Sequence, residues 1–499
     1  YGLKMNRIII NNYSKLNFMK TKINFLLLLI ACTGFFSSCS SDDDALPPEP
    51  AEVGMMSFGF YQEDNDQLVQ DYILENISGK SISFALPEQV DVTNLVARFT
   101  TTENDIVTVG GATQVSGETT NDYSAAVEYL LSEENTNEIY TVSVTKMANA
   151  VWSQLTAYDQ EVRDISLSIN PTNAVPYIGY ISNPEDSDDR KLNLISYQDD
   201  VWSRIGAADF SPEAARSVNL ALSPDGTPFI AFGDYAVDPY QVSLMEYTEN
   251  SWNYVGQPGI ADGERSDKTR VVTSEDGTLY NFYINRERKI KLKSFDGTSW
   301  NEIGITGANN DAVELDAIFA NGTIYLASLN FGDLQSVSVF KYENGNWTTL
   351  ADQMKEAPEN IVRYNWISMD VDTKGNVYLA YAETDAAAGT DYQVKVKKYT
   401  AASNSWSILG DVLPDASYRS FDIAVDAYDN PMILYRNASD NPTTLAFDDE
   451  VNNWASPMVL SNNEAGDLEL EYAANGIGYA AYTVGNQLYL HKYDSPDNQ

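Results

Sequence analysis

From residue 151 onward the chain alternates apolar and polar positions in short bursts, and the bursts recur as a unit. One unit contains Ser217-Val218-Asn219-Leu220-Ala221-Leu222, the turn Ser223-Pro224-Asp225-Gly226 and the run Pro228-Phe229-Ile230-Ala231-Phe232. It continues with Val242-Ser243-Leu244-Met245-Glu246-Tyr247 and ends at Trp252-Asn253-Tyr254-Val255-Gly256. Period-two alternation broken by Gly, Pro and Asp turns predicts strands, four to a unit. Tryptophans at 152, 202, 252, 300, 347, 406 and 454 mark the period, with gaps of 50, 50, 48, 47, 59 and 48 residues. Four strands in about 50 residues is the length of a propeller blade, with an open sandwich or a solenoid of the same period as the alternative.

The repeat also predicts how the ring closes. The last unit runs through Leu488-Tyr489-Leu490-His491-Lys492-Tyr493 and lacks its tryptophan, whereas Val151-Trp152-Ser153-Gln154-Leu155 is a fourth strand without a unit. Joining them gives seven blades and leaves no free sheet edge. A tryptophan at one register of every outer strand reads as packing between blades.

Residues 54–149 also alternate, as in Ser81-Ile82-Ser83-Phe84-Ala85-Leu86 and Ile139-Tyr140-Thr141-Val142-Ser143-Val144. This predicts one small β-sandwich. Together with Gln114-Val115-Ser116-Gly117, Asn121-Asp122-Tyr123-Ser124 and the closing Tyr140-Thr141-Val142, these segments resemble the Ig-like modules near the N-terminus of Bacteroidetes surface lipoproteins. The expected fold class is therefore all-β, a seven-bladed β-propeller over 150–499 preceded by an Ig-like β-sandwich over 54–149.

Upstream, Met19-Lys20-Thr21-Lys22 precedes the apolar run Phe25-Leu26-Leu27-Leu28-Leu29-Ile30-Ala31 and then small residues up to Cys39. This is the layout of a secretory signal, with a run too short to span a bilayer. Translation starts at Met5 or Met19 on this reading, and 1–38 holds the upstream residues and the signal. Phe36-Ser37-Ser38-Cys39 resembles the lipobox of bacterial lipoproteins, which implies acylation of Cys39. Ser40-Ser41-Asp42-Asp43-Asp44 resembles the acidic export signal of Bacteroidetes lipoproteins, with a solvated acidic linker as the alternative. The resemblances imply an outer-membrane protein held by lipid alone and facing the cell exterior. Residues 39–53, with Pro47, Pro48 and Pro50, then form an extended tether. Cleavage before Cys39 removes Cys32 and leaves no free thiol.

Charge excludes several functions. Seventy-two acidic residues against thirty-one basic ones give a formal charge of −41, which opposes binding to nucleic acid or to anionic lipid. With His491 as the only histidine, histidine-rich metal sites are excluded and a Ser-His-Asp triad would have to use a residue inside a third strand. No cofactor is expected. Calcium is the one metal the acidity leaves open, and Asp186-Ser187-Asp188-Asp189 lacks the Gly and distal Glu of an EF-hand loop.

Chemistry is expected at the mouth of the channel, where inner strands begin and second strands end. Counting seven residues back from the first turn, Arg163, Arg216 and Arg419 share a register. Arg270 and Arg363 stand off it in opposite directions and are expected on the same strand face. Just past the second strands come Ser182, Asp234, Asn285, Asn330, Glu383 and Asn437, and Tyr364, Trp366 and Tyr418 flank the arginines. Guanidinium forks suit carboxylate or sulfate and the aromatic rings suit a sugar face, so an anionic glycan is the expected ligand. The plain alternative is arginines that neutralise Asp and Glu in adjacent blades.

The hairpin Ser294-Phe295-Asp296-Gly297-Thr298-Ser299-Trp300 resembles the Asp-box turns of sialidase-like propellers, and the Tyr-to-Trp spacing is similar to kelch repeats without their double glycine. Such turns imply fold and not activity. The leading expectation is non-catalytic binding of an extracellular glycan or a partner protein. A glycan-active enzyme, sialidase-like hydrolase or lyase, and a structural or adhesion scaffold are the alternatives.

Overall fold

The computed structural model describes residues 54–102, 105–133, 136–182, 189–307, 311–332, 335–385, 392–413 and 415–498. Cys32, Cys39, the whole of 1–53 and Asp186-Ser187-Asp188 lie outside them, and no helix among the described residues is long and apolar enough to cross a membrane.

Alternation over 54–146 builds a sandwich. One sheet orders Tyr72–Glu75, Met55–Phe60 and Arg98–Thr101, and the other pairs Ser81–Leu86 in parallel with Thr136–Lys146, followed by Val127–Glu133, Ile106–Val109 and Ala112–Thr113. The burial of Ser81–Leu86 switches residue by residue, so Ile82, Phe84 and Leu86 face the core. There they meet Phe58, Phe60 and Tyr129, with Phe58 and Tyr129 edge to face at 5.2 Å.

Seven sheets follow among the described residues, at 163–204, 215–254, 266–303, 312–354, 361–408, 421–459 and 465–494, and we number these blades one to seven. Each is an antiparallel meander of four strands, the outer strand of blade six being split into Asn453–Trp454 and Met458–Val459. The inner strands of successive blades neighbour one another around a complete circle, from Arg163–Ile169 to Ala465–Tyr472 and back. That circle rules out the open sandwich and the solenoid.

Blade seven takes its outer strand from the other end of the propeller. Val151–Gln154 pairs with Gln487–Asp494, setting Trp152 opposite Tyr493 and Gln154 opposite His491. The other tryptophans pack as the repeat predicts. Trp202 packs edge to face at 4.8 Å against Tyr197 one strand in, and its indole N–H donates to the Thr156 carbonyl of the blade before it at 2.7 Å. Trp300 and Trp406 reach Val255 and Leu350 in the same way, each at 2.9 Å. A glycine after the outer strand makes room for this contact. A Cβ on Gly206 would meet the Trp252 indole at 2.7 Å, and the positive φ there excludes most other residues as well.

Sandwich and propeller meet at the end of the blades where the first turns lie. The Tyr428 hydroxyl, in the first turn of blade six, is pushed above its ordinary value by burial and by the nearby Tyr72 of the sandwich, and the Ala148 N–H donates to Asp497 at 2.7 Å. The inner strands begin at the opposite end.

Candidate functional site

The seven inner strands enclose a channel of about 470 Å³. An innermost strand has one unpaired edge, whose N–H groups need acceptors. One side chain per blade stands at the register that serves them, Ser166, Asn219, Arg270, Asp316, Ser368, Asp422 and Glu469, each paired to the same rung of its second strand, and all but Arg270 accept. Ser166 accepts from the Leu220 N–H at 3.0 Å, Asn219 from Val271 at 2.7 Å and Asp316 from Met369 at 2.9 Å. Ser368 accepts from Ile423 at 2.9 Å and Asp422 from Leu470 at 2.7 Å. Glu469 accepts from Leu167 and closes the circle. A second tier adds Asp370 to the Val425 N–H at 2.7 Å, and Glu471 to that of Ile169.

Blade three departs from the pattern. Arg270 has no acceptor to offer, so its Nε donates to Asp316 of blade four at 3.2 Å. A third of its side chain is exposed, but only to the channel lumen. Burial opposes its charge, yet Asp316, Glu314 and Glu469 together hold its pKa above the ordinary value. Burial raises the acids in turn: Asp370 and Asp422 to about 7, Glu471 to about 8, and Glu469 well above its usual range. Asp316 is also raised by burial, against the pull of Arg270. No group of three or more His, Cys, Asp or Glu among the described residues is arranged to hold a metal ion. These carboxylates fasten blade to blade.

Arg270 therefore does not join the other arginines at the mouth. Inner strands carry a β-bulge near their start, with one extra residue in blades one, two, three, four and seven. Arg163 and Arg216 stand before the bulge, seven residues from the first turn, whereas Arg270 stands beyond it, four residues from its turn and level with the channel circle.

Strand pairing, not distance from the first turn, gives the true register. By pairing, Arg216 beside Gly233 matches Arg163 beside Ile181, and it matches Arg363, which follows the Val362–Glu383 pair. Arg419 precedes its strand, Phe421–Val425. In blade five the bulge is larger: Val362 to Ile367 takes five steps while Glu383 to Tyr381 takes two, so three residues are extruded. The extruded stretch carries Arg363, Tyr364 and Trp366, and Trp366 is left 37% exposed over the channel it lines.

The carboxylates expected at the mouth face inward. Asp234 is fully buried, accepting from Tyr254 Oη at 2.8 Å and from the Ala236 N–H. Glu383 is 1% exposed and accepts from the Glu356 N–H at 2.9 Å. Asn437 caps its own turn through the Ser439 and Asn441 N–H groups, and Ser182 donates to Asp209. These residues hold the rim, and the second Glu383 oxygen is buried 3.7 Å from Lys395 Nζ. Tyr381, next to Glu383, is the nearest Tyr–Glu pair a sialidase-like reaction could use, and it is wholly buried. His491 is buried too, which lowers its pKa to about 4 and keeps it neutral.

What the rim does expose is arginine stacked on tyrosine. At blade two, the Arg216 guanidinium lies 5.3 Å from the Tyr235 ring and Tyr235 stacks on Tyr240 at 4.5 Å and 4°. Arg265 lies 4.1 Å over Tyr240. At blade five, Arg363 sits 5.4 Å from Tyr392 and 5.1 Å from Tyr418, with Arg419 5.8 Å from Tyr418. Between these groups, Arg288 lies 4.3 Å over Phe331 but is also paired with Asp311 at 3.2 Å, and Arg163 lies 3.5 Å from Asp164. Arg216, Arg265 and Arg419 are exposed, and no ion pair holds them among the described residues. Stacking occupies a guanidinium's face and leaves its in-plane N–H donors pointing outward, the arrangement that receives a planar anion. Sequence reasoning missed Tyr235, Tyr240, Arg265 and Tyr392, although Tyr240-Gln241-Val242 and Tyr392-Gln393-Val394 repeat in plain sight.

Residues 69–144 match the family profile described as SGBP, N-terminal. No curated protein matches the chain in sequence. Among solved structures, a family PL25 polysaccharide lyase, an ulvan lyase bound to -[GlcA(1-4)Rha3S]-, is similar at 12% identity and a TM-score of 0.47, over 68% of this chain and 95% of that one. The polysaccharide lyase Uly1 is similar at 11% identity and 0.46, over 70% and 100%. A lectin of Aleuria aurantia is similar at 13% identity and 0.39, over 56% and 92%. At these identities the likeness concerns the fold alone.

Proposed function

We propose that this protein is a non-catalytic surface glycan-binding protein whose propeller mouth takes an anionic glycan through the stacked arginines of its rim. One observation carries the reading: in a chain of net charge −41, the rim holds three exposed guanidinium groups against tyrosine rings instead of carboxylates. The match of 69–144 to the N-terminal profile of surface glycan-binding proteins supports glycan as the ligand class. Anchoring through Cys39 would set the chain on the outer membrane, and the sandwich, at the far end of the blades from the mouth, would then act as spacer.

Calorimetric titration of uronate-containing and sulfated polysaccharides tests this. Losing a charge-assisted contact costs about 1.5–3 kcal/mol, so the Arg216→Ala/Arg419→Ala double substitution is expected to weaken binding at least 10-fold. Absence of binding to any such polymer, or binding unchanged in the double variant, sinks the proposal.

A further inference from the structure

We infer that the mouth grips one extended anionic chain at two stations on nearly opposite sides of the ring, so that affinity grows with chain length. The inference rests on the glycan reading above and specifies how the ligand lies.

The two arginine–tyrosine groups are the same construction made twice. Arg216 and Arg363 occupy one register, as do Asp234 and Glu383, and Gln241 and Gln393, the first residues of the third strands. Tyr240 and Tyr392, each one residue before those glutamines, are the rings of the two stacks. The buried acid behind each station accepts from the protein, Asp234 from Ala236 and Tyr254 of its own blade and Glu383 from the Glu356 N–H in the connection that leads into its blade. Each station is completed from the start of the following blade, by Arg265 in one case and by Tyr418 with Arg419 in the other. Blades two and five lie three apart, the widest separation seven blades allow.

The blades between do not repeat the arrangement. At the matching positions blade three has Lys268, which is paired with Glu314 at 2.6 Å, and blade four has that glutamate. A ligand with a single anion would use one station. A chain with an anion on recurring sugar units can reach both, and Trp366, extruded beside station two, lies over the channel between them. Holding a second point of one chain is an intramolecular event, which raises affinity by about 10²-fold or more without a new kind of contact.

The experiment uses the full chain with size-graded fractions of polygalacturonate for the carboxylate arm and of carrageenan for the sulfate arm. Tyr240→Ala/Arg265→Ala removes station one and Tyr392→Ala/Arg419→Ala removes station two, with Arg265→Gln and Arg419→Gln as milder versions should either double variant melt early. Wild type is expected to bind long fractions on the order of 100-fold more tightly than di- or trisaccharides, and either variant to lose that gain. For the short fractions each variant is expected to halve the stoichiometry at unchanged Kd. Equal affinity for short and long fractions, or a long-chain affinity that survives loss of one station, overturns the two-station inference while glycan binding stands. Failure of wild type to bind either polymer overturns both, and so does binding confined to an acidic peptide such as polyglutamate.

Discussion

Arg270 of blade three donates to Asp316 of blade four at 3.2 Å, at the register where every other blade offers an acceptor to its neighbour's backbone. The Ala317 N–H, which that acceptor would have served, turns instead to Asp316 in its own blade at 3.0 Å. Arg270 thus does two jobs: it bridges the blades, and it is the one cation in a circle that holds three acids, Asp316, Asp422 and Glu469. Replacing it with Met keeps the length and removes the charge. Because part of the side chain faces the lumen, the expected loss is nearer 2 kcal/mol than that of a fully dry pair. Urea unfolding should give that loss at pH 8 and a smaller one at pH 5, where Asp422, raised to about 7 and facing Arg270, holds a proton and needs no counter-charge. A loss independent of pH would show that Arg270 serves by packing alone.

The same acids set the pH dependence of the native state. Burial holds Asp370 and Asp422 at about 7 and Glu471 at about 8, far above their values in an unfolded chain. The native state therefore keeps protons that the unfolded state has released. Their contribution is complete below about pH 4 and is lost as the pH rises through 7 to 8. His491 works the other way, buried neutral with a pKa of about 4, but its effect is complete above its unfolded value near 6.5. Asp276 and Asp296, lowered to about 2 by hydrogen bonds in their turns, act only in acid. The clean window is thus pH 6.5 to 8.5, where the melting temperature should fall by a few degrees. Asp422→Asn, which keeps an acceptor and drops the charge, should flatten the slope, and a melting temperature that rises across this window refutes the assignment.

Closure rests on a short strand. Trp152 lies 5.0 Å from the Tyr493 ring across the join and is 9% exposed. Trp152→Ala should cost about 3 kcal/mol in chemical unfolding, in the range for a buried aromatic. Excision of 151–154 should cost more, since it also strips the edge of Gln487–Asp494. A chain beginning after Ala150 should retain the melting of the propeller.

The blades were legible because their marker, a tryptophan on every outer strand, is one residue type at one spacing. The channel circle was not, because Ser166, Asn219, Arg270, Asp316, Ser368, Asp422 and Glu469 share a register and a task but no residue type. The regularity that remains is slight: one polar residue just before the apolar Leu167, Leu220, Val271, Ala317, Met369, Ile423 and Leu470. The mouth was half legible. Of the arginine and aromatic residues expected near the strand starts, Arg216, Arg363, Arg419, Trp366 and Tyr418 do lie at the rim. The first turn was the wrong ruler, since bulges of unequal size lie between it and the rim. That error hid the match of Arg216 with Arg363, while Arg270, four residues from its turn, lies too near the turn to reach the rim. Asp234 and Glu383 lay at the predicted place with their side chains turned to the protein.

The enlarged bulge of blade five gives a way to separate binding from folding. Five blades pass this point with one extra residue, and blade five uses three, with pairing resumed at Ile367. Deleting Asn365 and Trp366 would leave one, the length that the same strand pairing tolerates elsewhere in the ring. The shortened chain should therefore fold with a melting temperature close to that of wild type. It would lack the exposed indole over the channel, and polysaccharide affinity should drop roughly 10-fold, about 1.4 kcal/mol. Trp366→Ala should reproduce the drop with the backbone untouched. If both variants fold and bind as wild type does, Trp366 has no part in holding the ligand, and the extrusion serves only to carry Arg363 to the rim.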